Sequence, residues 1–546
     1  MHGRFVILLA ISGLFLQVAF SPCALAGDWA TKAVPAAGDL LWADGIGGTG
    51  STTVNATAVD GSGNVYVTGR FSGTADFDPG AGVYNLTAGG TEDFVCKFDT
   101  DGDLVWAAHI LGTTNVLPYN SLEVDQAGAV YFTGLFTGQP DFDPGPGVFN
   151  LTASGVDAYI CKLDTDGNFQ WAAKLHTYSY LLALDAQGAV YATGAFAGTV
   201  DFDPGPGVFN LTSISGVQDT YICKLDTNGQ FVYARQFGGT GVPWIESIDA
   251  DPSGNVYLHL YFDAGAIDFD PGPGDFTLTS AGIRQTVITK LDTAGDFAWA
   301  KRFGGAGSTS SAYSTTDAEG NVLVVGSFSG GVDFDPGPGD YPIYSNGGNV
   351  FIVKLDYNGG FLWAKAFGGS YGSVSPSDVA LDSNSNIYVA GIFGHQSDFD
   401  PGPAEYILYN AGLDSYVSKL DPEGNFVYVK QFRSEGAQFI TRVVLDTDRN
   451  IYLGGFLDGI TDFDPGPATF NLGVSSSRSG YIVKLAGPPP MPSDISGDDA
   501  VDAVDIQLVI NKALGLAITG NADVNGDTFV DASDIQTVIN TALGLG

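Results

Sequence analysis

The chain has 546 residues, and 61 Asp+Glu against 22 Lys+Arg give it a formal net charge of −39. Charged residues make up only 15% of it, against about a quarter in ordinary globular proteins. The imbalance is therefore a shortage of basic side chains, which argues against nucleic acid and anionic membrane surfaces as partners, since both are bound through Lys and Arg. The first element in chain order is residues 1–26, read as a secretory signal peptide. His2 and Arg4 lead into an apolar run from Phe5 to Phe20, and Ala24-Leu25-Ala26 supplies a cleavage site. Pro22 stands where a lipidated cysteine would need a small residue before Cys23, so cleavage is expected after Ala26. No later stretch is apolar and long enough for a membrane span. The mature chain is thus expected to be secreted or extracellular, either free or at a cell surface.

After a short lead, residues 27–38, the sequence repeats itself. The pentapeptide DFDPG begins at Asp76, Asp141, Asp201, Asp268, Asp333, Asp398 and Asp462, at spacings of 60 to 67 residues. Each unit holds four β-like runs; in the second they are Leu122–Asp125, Val130–Phe136, Tyr159–Asp164 and Phe169–Leu175. Turns such as DQAGA and DTDGN close the first and last pairs, and the DFDPG segment links the middle two. Four strands per unit suit a propeller blade. The ends favour a closed ring over a solenoid. Leu40-Leu41-Trp42-Ala43 matches the fourth run of other units, whereas Tyr481–Leu485 matches the third and has no fourth after it. Pairing the two completes a seventh blade and removes two exposed edges. The expected fold is all-β: a seven-bladed β-propeller over residues 39–486, closed by an N-terminal outer strand. Cys96, Cys161 and Cys223 share one frame with Thr289, Val353, Ser418 and Val483, which reads as a small buried strand position holding free thiols.

The units GNVYVTGRFSGTADFDPG, DAYICKLDTDGNFQWAA and FAWAKRFGG resemble the seven-bladed repeat of exported bacterial proteins called SBBP repeats. That likeness implies a fold and an extracellular setting, and no shared catalytic site. A proline-rich linker, residues 487–493, comes next. Residues 494–546 change character: DISGDDAVDAVD and DVNGDTFVDASD recur 29 residues apart, each leading into an amphipathic helix. Calcium takes six to eight oxygens, and a twelve-residue loop offers them from positions 1, 3, 5, 7 (a carbonyl), 9 and 12. The first loop presents Asp494, Ser496, Asp498, Ala500, Asp502 and Asp505. The second presents Asp523, Asn525, Asp527, Phe529, Asp531 and Asp534. The pair resembles a type I dockerin, a small α-helical calcium-loop domain. The resemblance implies two calcium ions and a cohesin-like protein partner contacted through Ala503, Val504, Ala532 and Ser533. Position 6, usually Gly, is Asp499 and Thr528 here.

Further calcium at the DFDPG loops is the weaker reading of those carboxylates. The stronger is mechanical: the Phe packs inside, the Asp side chains cap backbone amides, and Pro-Gly turns the chain. Trp106, Trp171, Trp299 and Trp363 recur in one frame and read as outer-strand packing rather than a sugar-stacking row. No HExxH or phosphate loop is present, and no catalytic residue is assigned. Residues that break the repeat lie in the links between blades: His176, Tyr178, Tyr180, Trp244, Glu246, Tyr371 and Arg433. These links should share a face with the DFDPG loops, which makes that face the candidate surface for a carbohydrate or protein ligand. The function expected is a non-catalytic recognition or scaffold propeller tethered by its dockerin. The alternative is a polysaccharide lyase or hydrolase, recognisable by non-repeated acid, base and aromatic residues converging near the axis.

Overall fold

The computed structural model describes residues 35–110, 121–369, 373–473, 478–488, 503–513, 522, 524, 530 and 532–542. Each β unit is built on the same hairpin logic. Asp60 accepts the amides of Ser62 and Asn64 on Oδ1, and Gly63 turns the corner at φ 81°, a conformation that costs glycine nothing. The strands on either side, Thr52–Val59 and Val65–Asp76, then pair antiparallel from Val59↔Val65 outward. Asn85–Phe98 and Leu104–Ile110 are the third and fourth strands.

Among the described residues seven such four-stranded antiparallel units form. Their first strands are Thr52–Val59, Ser121–Val124, Tyr178–Leu184, Trp244–Ala250, Ser308–Thr316, Ser373–Leu381 and Gln438–Leu445. Each packs against the next, and the last packs against the first, so these inner strands close a ring. The seventh unit is completed as the sequence predicts. Ser479–Leu485 pairs on one side with Ile451–Leu457 and on the other with the N-terminal strand Leu40–Gly48, in register at Ala43↔Val483.

Neighbouring units are tied at two levels. At one end, the first Asp of DFDPG pairs with the outer strand of the preceding unit: Gly47↔Asp76, Gly238↔Asp268, Gly304↔Asp333 and Arg433↔Asp462. At the other, buried tyrosines and outer-strand tryptophans reach the next unit's turns. The Tyr66 hydroxyl donates to the Gly128 carbonyl, and Trp106 Nε1 donates to the Thr165 carbonyl. Trp42, Trp171 and Trp299 donate to their next-unit turns in the same way, which is the packing role expected of that frame. Tyr452 to Gly63 and Lys484 to Thr100 carry these ties across the closure.

The DFDPG loops are built mechanically. In the first copy Asp76 Oδ1 accepts the amides of Asp78 and Tyr84, and Asp78 Oδ1 accepts that of Gly80; the other six copies repeat all three bonds. The intervening Phe is fully buried in every copy. Phe77, for example, sits edge-on between Phe71 and Phe94, with ring centroids at 5.3 and 4.9 Å. Burying one such ring stabilises the fold by about 2–3 kcal/mol. Cys96, Cys161 and Cys223 are buried free thiols, as expected.

Beyond the β units lie two helices, Ala503–Ala513 and Ala532–Ala542. Val509 and Val538, 29 residues apart, are buried against each other's helix with Ala522. Ile506 and Ile535 flank them, so the repeated apolar stripe is what packs the pair. No described helix is long and apolar enough to cross a membrane.

Candidate functional site

Five of the seven inner strands share a bulge. The register slips by one residue between Val54 and Ala56, Ser179 and Leu181, Ile245 and Ser247, Pro376 and Asp378, and Ile440 and Arg442. Bulges re-aim the side chains around them, and the positions just past each one depart from the repeat. Four residues before the hairpin Asp, the seven units carry Ala56, Ser121, Leu181, Ser247, Tyr313, Asp378 and Arg442. Two residues before it they carry Ala58, Glu123, Ala183, Asp249, Thr315, Ala380 and Val444. Blade packing is satisfied by small or apolar residues in most units, so the charged ones are not there to hold the ring.

These charges meet around a cavity of about 340 Å³, lined by inner strands of six of the seven units and including Glu123, Asp249, Asp378 and Arg442. Arg442 Nη1 donates to Asp378 Oδ1 at 3.2 Å, and the Val443 amide donates to its Oδ2. Burial opposes the charge on Arg442, but Asp378 and Glu123 more than offset this and hold its pKa above the usual value. Burial pushes Glu123 up to about 7, with Arg442 opposing and Asp249 and Asp378 adding to the rise. Asp249 is likewise pushed up to about 7 by burial, against the Ala250 amide that donates to it. Tyr313 is held neutral by burial beside Asp378. Two carboxyls with raised pKa values and a guanidinium–carboxylate pair therefore line one cavity. The cluster lies toward the hairpin end of the inner strands: Asp249 adjoins the closing pair Ala250↔Val256, and Glu123 adjoins Val124↔Val130. Sequence reasoning passed over all five residues, although aligning the seven inner strands on their hairpin Asp exposes them.

The links occupy the opposite end, beside the DFDPG loops, as expected from their order. The residues singled out there are not one group. His176 is tied to Ser154 and Asp157, and Arg433 continues an outer strand. Tyr178 is half exposed, whereas Tyr371 and the Tyr180 side chain lie outside the described residues. Trp244 begins an inner strand and stacks on Tyr261, with Glu246 at the bulge two residues on.

In the C-terminal pair, Asp494, Ser496, Asp498, Ala500, Asp502, Asp523, Asn525, Asp527, Phe529 and Asp531 lie outside the described residues. Ala503, Val504 and Asp505 open the first helix, and Ala532, Ser533 and Asp534 open the second. Asp534 is fully buried, and its Oδ1 accepts the amide of Val524 at 2.9 Å. The last acid of the loop is thus folded back onto the loop's start, as wrapping an ion requires. Its hard oxygen chemistry fits calcium.

Comparison with known proteins agrees with this division. Residues 492–543 match the dockerin type I domain, and residues 362–391 match the beta-propeller repeat. The chain therefore combines a strand-rich propeller with a C-terminal dockerin, a type of domain that binds calcium. It is 23% identical over 472 residues to the uncharacterized WD repeat-containing protein L264 of Acanthamoeba polyphaga mimivirus, covering 70% of this chain and 34% of that relative. The chain thus spans about a third of the relative's length. Among solved structures, polysaccharide lyase Uly1 is similar at 9% identity and TM-score 0.37, covering 79% of this chain and 90% of that one. A protein from Dyadobacter fermentans is similar at 11% and 0.35, covering 82% and 98%. The V. cholerae biofilm matrix protein Bap1 is similar at 11% and 0.22, covering 80% and 91%. Likenesses of this grade bring no activity to the chain.

Proposed function

We propose that the chain is an exported, non-catalytic recognition propeller, anchored by its dockerin to a cohesin-bearing assembly at a cell surface or in the extracellular medium. Residues 1–26 are its removable export signal. The observation that carries the reading is the dockerin match at residues 492–543 on a chain whose remaining described residues form a closed ring of β units. The two loops named above hold one calcium ion each, which orders the loop–helix units. Ala503, Val504, Ala532 and Ser533 then face the partner. The axial cavity is the ligand site.

Calorimetry after chelator treatment tests the first half. Two ions should bind the mature chain and none a chain ending at residue 486. Retention on an immobilised type I cohesin should need both calcium and residues 487–546. Retention that persists in chelator, or without the C-terminal segment, would overturn the tether.

A second reading, a polysaccharide-active enzyme, draws support from one observation: Glu123, Asp249, Asp378 and Arg442 supply non-repeated acids and a base at the axial cavity. It requires turnover of a polysaccharide that Glu123→Gln or Asp249→Asn abolishes. Binding without turnover keeps the first reading.

A further inference from the structure

The recurring tryptophans are explained by blade packing; Trp244 is not. It stands seven residues before its hairpin Asp, where other units carry Thr53, Tyr178, Ser310, Ser375 and Phe439. Its ring lies nearly parallel to that of its cross-strand partner Tyr261, at 16° and 6.5 Å between centroids. On the far side of Tyr261 the guanidinium of Arg284 sits 4.2 Å over the ring, held by Asp263 at 3.1 Å. The row Trp244–Tyr261–Arg284 thus crosses three adjacent strands of the fourth unit, on the link side. It is open to solvent: Trp244 is 43% exposed, and the Arg284 and Asp263 side chains are 41% and 55% exposed. The indole N–H makes no hydrogen bond among the described residues, unlike those of Trp42, Trp106, Trp171 and Trp299. The seventh unit repeats the pattern with Phe439, Phe456, Arg478 and Asp458, so the four positions vary together.

We propose that Trp244, braced by Tyr261 and flanked by Arg284 and Asp263, is a stacking platform for a neutral pyranose ring of a polysaccharide. This rests on the recognition reading above and gives it a ligand class and a second contact point, away from the axial cavity. The chemistry selects the sugar. A fixed, open indole offers the apolar face that the C–H groups of a pyranose need, and it loses little freedom on binding. Half-exposed Arg and Asp beside it supply a donor and an acceptor for ring hydroxyls. A single exposed ring is far too small a patch for a stable protein interface. The net charge of −39 repels polyuronates, and Arg284 is already neutralised by Asp263, so the ligand is uncharged.

Native gels containing arabinoxylan, galactomannan, hydroxyethylcellulose or polygalacturonate, run with the full mature chain, test this. At least one neutral polymer should slow the parent. Trp244→Ala should weaken that retardation about tenfold, the size that one stacking contact implies. Trp244→Tyr should stay within about threefold of the parent, which separates lost stacking from lost folding. Tyr344→Ala, removing an aromatic that is 76% exposed elsewhere, should change nothing. Retardation by polygalacturonate alone, by none of the four, or equally for Trp244→Ala and the parent would overturn the platform. If Glu123→Gln abolishes retardation and Trp244→Ala does not, the platform falls while recognition through the axial cavity stands.

Discussion

At Ser385 and Arg449 the backbone takes φ of 60° and 63°. The equivalent turn position holds Gly63, Gly128, Gly188, Gly254 and Gly320 in the first five units. An L-residue in this left-handed region costs about 1–2 kcal/mol that glycine does not. Ser385→Gly should therefore raise stability by about 1 kcal/mol, read from the denaturant midpoint at unchanged slope. The axial acids make a prediction of the opposite kind. Glu123 and Asp249 titrate at about 7 in the folded chain and near 4 when unfolded. Between those values the folded state holds more protons, so their contribution falls as pH rises through that window and levels off above it. Glu123→Gln and Asp249→Asn should flatten the slope, gaining stability over the parent at pH 8 and little at pH 4. A variant that tracks the parent at every pH would show that the carboxyl titrates normally.

The four-strand unit was legible in the sequence because it is over-determined. The Asp-x-x-Gly-Asn turn, the alternating apolar runs and the DFDPG loop are each stated many times, and drift in one copy is corrected by the rest. What remained hidden obeys no repeat. Glu123, Asp249, Asp378 and Arg442 each occur in a single unit, and Asp378 and Arg442 flank a bulge, which shifts the inward-facing positions out of simple alternation. Only the closed ring brings them together. The dockerin pair was legible for the same reason as the blades, through one duplicated loop–helix; the placement of most of its ligand positions lies outside the described residues. The spare first strand gave away the closure. Removing residues 27–48 should leave Ser479–Leu485 as an unpaired edge. The expected result is a thermal midpoint lower by about 10 °C or more and concentration-dependent association, seen by calorimetry and size-exclusion chromatography. An unchanged midpoint would mean that six and three-quarter blades are enough.

Over the whole molecule, the shortage of Lys and Arg has a structural counterpart. The few lysines present are spent on repeated inner ties: Lys97, Lys224, Lys354 and Lys484 each reach a turn residue of their own or the next unit. Little positive charge is left for the surface, so a polyanion would find few cations there to displace its counterions. The closure has a mechanical consequence as well. Had the chain ended its ring on an outer strand, a load applied at Gly487 would pull on a strand with one neighbour and peel it away pair by pair. Instead the strand leading to the C-terminal segment, Ser479–Leu485, is gripped on both sides, by Ile451–Leu457 and by Leu40–Gly48. A force applied through Gly487 must break two ladders together, so Leu40–Gly48 acts as the latch that lets Ser479–Leu485 bear strain.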